Sequence, residues 1–348
     1  MGCRTETDTG LTLTNGFLGA GTTITGGAGG AGGTGNGGSG GNGGNGGRGG
    51  AGVAFVGTGT LNNTNGGTIQ GGNGGAGGTG GSTGFLGAGG VGVTGAGITV
   101  VNNGAINGGL DSLSTQYDAI DFTGGANTLT LQTGATFGGR ISIASGASLL
   151  FNQATNQTFG AVLTGSGTVI VGGTGNLILT TDNSGIFTGT VTINSGATLQ
   201  FGNGGGTGSI ANDAITDNGT LLLSLGNGIG TPTFTINNNI SGTGGITVAD
   251  GIGSTTNFIG TNSYTGATTI SSGTLSITAQ ASLPLVSAIS IATRKHSVWQ
   301  LLLNEMAILI SLRTRNCRAR LVATFGSGSH QKCVGSIPWF CGRNAALQ

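Results

Sequence analysis

The chain repeats itself at fixed offsets, and that restricts its fold more than any other feature. GRISIASGASLLF at 139–151 aligns position for position with GTVTINSGATLQF at 189–201, an offset of 50. A longer similarity has an offset of 77: LTGSGTVIV at 163–171 falls on ISGTGGITV at 240–248, and IFTGTVTINSG at 186–196 on SYTGATTISSG at 263–273. Each copy alternates apolar with hydroxyl residues, breaks at a Ser-Gly pair and resumes, the pattern of a strand, a tight turn and a second strand. Repetition at a fixed period is the mark of stacked architectures, in which one copy cannot bury its apolar side alone. The spacing of Gly and Asn corners inside each 77-residue unit predicts three or four coils of roughly 20 residues.

Stacking such coils places Val191, Ile193, Leu199 and Phe201 in an inward column, with Thr190 and Thr192 outward on strand positions that suit β-branched side chains. Gly and Asn take the corners, where positive φ is needed. The expected fold is therefore all-β, a right-handed parallel β-helix (solenoid), with a Gly-rich, partly irregular N-terminal region and a non-homologous, helical C-terminal tail. A β-sandwich is the rival, but it needs no internal repeat and tolerates less Gly.

Three regions follow from composition. Gly accounts for 81 of 348 residues, against an ordinary usage of ~7%, and it dominates residues 1–109. A run such as GGAGGAGGTGNGGSGGNGGNGGRGGAG at 26–52 has no side chains to bury and is costly to order, which reads as a flexible linker. Yet GFLGAG at 16–21 returns at 84–89, and GTGTLNNTNGGTIQGG at 57–72 is similar to GAGITVVNNGAINGG at 95–109. These recurrences indicate degenerate β repeats joined by long Gly loops. Residues 110–293 carry the clear repeats. Residues 294–348 form a basic tail.

The tail differs in every index. Residues 1–293 contain three basic and nine acidic residues, about −6; residues 294–348 contain eight basic residues and Glu305, about +7. Both Trp, both His and three of four Cys lie in the tail. SVWQLLLNEMAILISL at 297–312 reads as a helix of about four turns, too short and polar to span a bilayer that needs ~20 apolar residues. It admits three readings: an out-of-frame translation, a helical cap, or an interfacial anchor. The opening MGCRTETDTG has neither an apolar stretch nor a small-residue cleavage site, so no secretory leader is read there. The scarcity of Cys in residues 1–293, where Cys3 stands alone, suits an exported bacterial protein.

LILTTDNSGIFTGTVTINSGATLQFGNGGGTGSI at 177–210 resembles the passenger-associated repeat of bacterial autotransporters (type V secretion), and NFIGTNSYTGATTISSGTLSI at 257–277 resembles it more closely. AIDFTGGANTLTLQTGATFGG at 119–139 is also similar to such passengers. The resemblance implies a truncated passenger fragment: a β-helix exposed at the cell surface or secreted, delivered through an outer-membrane translocator barrel. Alternating strands for that barrel are not read in this chain.

Chemistry is sparse. A polysaccharide lyase or hydrolase on this scaffold needs converging carboxylates; the candidates are Asp111, Asp118 and Asp121, with Arg140 nearby. Asp213 and Asp217 sit beside Asn212 and Asn218, which reads as turn chemistry more than cation binding. Residues 22–109 contain no Asp or Glu, against calcium-binding nonapeptide repeats, and no GxxxxGK is present. Cys317, His330, Cys333 and Cys341 fit no standard zinc spacing. Ser195 has no His in the repeat body, the two being His296 and His330. Phe187 and Tyr264 occupy matching repeat positions, which favours stacking inside the fold over partner binding.

No catalytic, cofactor-binding or metal residue is assigned, and no cofactor is expected. The expected function is non-enzymatic: a stalk or adhesin whose repeats aid passenger folding and export. Its partners would be host or neighbouring-cell surface molecules or extracellular matrix, not nucleic acid or a small substrate. The alternatives are the β-helical lyase or hydrolase and a truncated gene product without function.

Overall fold

A computed structural model describes residues 10–16, 21–35, 41–183, 185–210, 214–226, 232–251 and 253–277 in full. It describes the backbone alone for Thr5–Glu6, Ile289–Ile291, Leu301–Leu303, Met306–Arg313, Arg318–Phe325, Val334–Ser336 and Ala346–Leu347. All the described regular elements are strands, so no described helix could cross a membrane. The chain forms two compact units: 1–153 with 160–170 and 186–189, and 154–159 with 171–185 and 190–348.

In the first unit three strands alternate along each lap of the chain, and each pairs in parallel with its counterpart one lap later. The first sheet takes Val53–Phe55, Val93–Ala96, Ile120–Gly124, Ile141–Ile143 and Leu163–Gly165. A second takes Leu11–Asn15, Gly59–Asn63, Ile98–Asn102, Ala126–Leu131 and Ser148–Gln153. The third takes Thr23–Thr25, Thr68–Gln70, Ala105–Asn107 and Thr136–Gly138. Register places Leu13, Leu61, Val100, Leu129 and Phe151 directly above one another; from Leu61 onward all are fully buried. Those residues mark laps of 48, 39, 29 and 22 residues, so the laps shorten while the column stays in step.

The second unit repeats the plan. Asn176–Leu179, Thr198–Phe201, Thr220–Leu223, Gly245–Ala249 and Thr268–Ser272 form one parallel sheet. Thr190–Ile193, Ile215–Asp217 and Ile240–Ser241 form another, and Thr233–Ile236, Thr255–Phe258 and Thr274–Ile277 a third. Leu179, Phe201, Leu223, Val248 and Ile270 make its inner column, each at most 2% exposed. Burying each such side chain stabilises the stack by roughly 1.5–3 kcal/mol.

The Ser-Gly breaks are turns of one kind. Ala147 N–H donates to Ala144, and Ala197 N–H to Asn194, each at 3.0 Å. Between them Gly146 and Gly196 have φ of 79° and 80°, the third position of a type II turn that only Gly occupies without strain.

Two expectations need correction. The linker reading of the Gly runs is overturned, because those runs are hydrogen-bonded to one another at every third residue. Gly26, Gly29, Gly32 and Gly35 donate to the carbonyls of Gln70, Asn73, Ala76 and Thr79, and Gly44, Gly47 and Gly50 to Gly33, Gly30 and Gly27. A period of three without bonds inside a segment is that of an extended threefold helix of the polyproline II class. Four segments, 26–35, 41–52, 71–80 and 84–92, pack this way: 26–35 runs antiparallel to 41–52 and parallel to 71–80, and 84–92 runs antiparallel to 71–80 and parallel to 41–52. Gly is required twice over: its N–H does the bonding that Pro lacks, and a Cβ at Gly46 or Gly75 would overlap a carbonyl oxygen of the next segment.

The second correction concerns the tail. Leu301–Leu303 and Met306–Arg313 are strands, not the helix expected over 297–312; residues 297–300 and 304–305 lie outside the described ones. An apolar run of this length fits both periods, and antiparallel pairing of Met306–Arg313 with Arg318–Phe325 decides for the strand. The parallel stack continues as far as Ile277 opposite Leu303; pairings farther along are antiparallel.

Candidate functional site

The acidic candidates Asp111, Asp118 and Asp121 have different surroundings, with Asp118 close enough to Asp121 for the two charges to interact. Asp118 is tied to Arg140, Oδ1 to Nε 3.2 Å, and burial raises its carboxyl above the usual range, opposed by Arg140. Asp111 is committed to its own loop: its Oδ1 accepts the N–H of Leu113 and of Thr115, both at 2.9 Å. The bond from Thr115 is the largest influence that holds its carboxyl below the usual range. Asp121 sits half-buried in Ile120–Gly124.

Asp217 lies where the paired strand has Ile193, pointing into the stack. It is fully buried; Oδ1 accepts the Gly219 N–H at 3.0 Å, and Oδ2 has no hydrogen-bond partner. Burial pushes its pKa up to about 6. Asp213, considered with it for cation binding, lies outside the described residues, as do Cys317, His330, Cys333, Cys341 and His296. Among the described residues no three His, Cys, Asp or Glu side chains group as metal ligands would. Ser195 is exposed in its turn. Phe187 and Tyr264 are buried, the Tyr264 hydroxyl 2.6 Å from Thr268 Oγ1.

Sequence reasoning missed a buried row of Asn amides. Asn15 Nδ2 donates to Asn63 Oδ1, and Asn63 Nδ2 to Asn102 Oδ1, each at 2.8 Å. The same amides reach the carbonyls of Thr68 and Ala105 at the adjoining corner. The signal was present: LTLTN, GTLNN and ITVVN each end on Asn in the aligned repeats. Asn127 and Gln153 likewise bond backbone groups of neighbouring laps, and Asp250 accepts the N–H groups of Leu225 and Gly226 with one oxygen and the Thr256 hydroxyl with the other. These buried amides and the Asp250 carboxylate thus serve the scaffold.

What repeats toward solvent is different. Thr12, Thr60, Thr99 and Thr128 stand opposite one another in the first unit. Thr198 with Thr220, Thr247 with Thr269, and Thr233 with Thr255 and Thr274 do so in the second. Such rows repeat about every 4.8 Å, the separation of paired strands. Phe85 is 81% exposed beside the turn between glycine segments. An open groove of about 330 Å³ is lined by Thr25, Gly26, Ala28, Gln70, Gly71, Asn73 and Leu110, with no titratable group. Comparison with protein-family models, with curated proteins and with solved structures finds no match to this chain.

Proposed function

We propose that the chain is a non-enzymatic scaffold, a right-handed parallel β-helix of the autotransporter passenger type, acting at a cell surface as a stalk and adhesive face. The carrying observation is the set of outward Thr rows repeated lap after lap, beside buried polar groups spent on the scaffold. A face of this kind presents many equivalent weak contacts, so binding strength comes from multivalency and not from a pocket. The passenger assignment rests on the resemblance of 177–210 and 257–277. On that reading a translocator barrel exports the chain, and stacking of laps outside the cell biases its movement outward.

Beads coated densely with the full chain are expected to adhere to cultured cells or to immobilised extracellular matrix, with soluble chain a poor competitor. Adhesion equal to that of albumin-coated beads refutes the adhesive reading. Equal competition by soluble chain and by coated beads refutes the multivalent mechanism.

A further inference from the structure

Segment 26–35 leaves one row of its backbone groups without a partner among the described residues. In the inner segments both glycines of each triplet donate: Gly46 to Phe85 and Gly47 to Gly30, Gly74 to Leu110 and Gly75 to Gly47. In segment 26–35 only Gly26, Gly29, Gly32 and Gly35 do. The N–H groups of Gly27, Gly30 and Gly33 have no partner among the described residues, nor do the carbonyls of Ala28, Ala31 and Thr34, and all six residues are exposed. This is the threefold-helix counterpart of an open sheet edge, a template for further pairing.

The residue types at that edge exceed what a single chain needs. A Cβ at Gly27, Gly30 or Gly33 would meet nothing within 4 Å, and none of the three has positive φ. At the equivalent inner position Gly47 it would lie 2.9 Å from a backbone nitrogen, and at Gly75 it would overlap a carbonyl oxygen. The outer glycines have the flatness that lets two segments touch, and on the side where a Cβ would project no described residue lies against them.

We propose that this edge binds a second copy of the chain, the two 26–35 segments running antiparallel about a twofold axis. Gly27 N–H then donates to Thr34 C=O across the interface, Gly30 to Ala31, and Gly33 to Ala28. One axis between Gly30 and Ala31 serves all three pairs and their reciprocals, because each pair lies equally far on either side of it. That self-complementarity of donors and acceptors selects a second copy, joined face to same face. Antiparallel packing is one of the two modes used within the chain, as between 26–35 and 41–52.

Sedimentation equilibrium of the full chain tests this. The weight-average mass is expected to climb from one chain towards two as concentration rises. The triple variant Gly27→Ala, Gly30→Ala, Gly33→Ala has room for its methyls in the single chain, so its circular dichroism and melting should match the parent while its mass stays at one chain. Gly30→Pro, which removes a donor and sets a ring at the edge, should also weaken association; Val56→Ser, at an exposed apolar residue elsewhere, should leave it unchanged. A parent that is monomeric at all concentrations overturns the proposal, as does dimerisation that survives the triple variant. A monomeric parent that binds a synthetic Gly-Gly-Asn repeat peptide overturns it too, since the edge would then serve a different partner.

Discussion

Replacing Asp217 with Asn isolates the energetic effect of one carboxylate inside the stack. The side chain is fully buried, one oxygen lacks a partner, and its pKa moves from 3.8 to about 6. An acid whose pKa is higher in the folded chain favours folding when protonated. That stabilisation is whole below the unfolded value near 3.8 and is lost as pH rises through about 6. A shift of about two units corresponds to roughly 3 kcal/mol, so above pH 6 the parent forgoes about that much. Asn keeps an acceptor for the Gly219 N–H and carries no charge. The expected result is that Asp217→Asn is the more stable protein at about pH 7.5, by up to roughly 3 kcal/mol, and that the difference closes by about pH 4. Urea unfolding across this range, with hydrogen exchange read at the amides of 215–223, measures both the size and the place of the effect. A difference that is constant with pH, or a parent that gains on the variant as pH rises, refutes the reasoning.

Removing the middle amide of the Asn row by Asn63→Ala breaks bonds to Asn15, Asn102 and Ala105, and thermal unfolding should show a loss of roughly 2–4 kcal/mol. Leu223→Ala empties a place in the inner column of the second unit and should cost about 2–5 kcal/mol, whereas a loss under about 1 kcal/mol would mean the laps do not share a close-packed core. Gly196→Ala meets nothing within 4 Å but must hold φ near 80°; a destabilisation of about 1 kcal/mol from backbone strain alone is expected in chemical denaturation. Gly75→Ala should expose 26–92 to limited proteolysis, because its methyl displaces the segment containing Gly30.

Much of this was readable from residues, and the failures are instructive. Alternation in TVTI and TLQF gave the strands, and Ser-Gly gave the turns, because both depend on neighbours in sequence. Register across laps did not follow from the repeats. Val191 lies in a sheet with Ile215, whereas Thr268, its equivalent at offset 77, pairs with Ile246 in the sheet that contains Leu199. Three laps separate Leu199 from Thr268, 69 residues, so an offset of 77 carries the motif one strand farther around. A strand–turn–strand motif encodes its own shape but not the sheet it joins. The glycine bundle was missed for a related reason: its order comes from bonds between segments, and Gly alone shows no face. Asp217 looked like a turn residue because Asn212, Asp213 and Asn218 stand near it in the sequence, and only the stack places it inward.

The unequal laps have a consequence for how such a chain can change. Glycine excursions that lengthen a lap from 22 to 48 residues leave the inner column aligned, so excursion length is free where core register is not. Within an excursion the freedom comes in threes. Gain or loss of a whole Gly-Gly-x triplet shifts a segment by one turn and returns glycine to the positions of close approach. Gain or loss of one or two residues rotates side chains into positions that admit only hydrogen. Genetic slippage in units of nine bases would therefore be structurally silent here, and these runs can drift in length between related chains without any change in the scaffold that carries them.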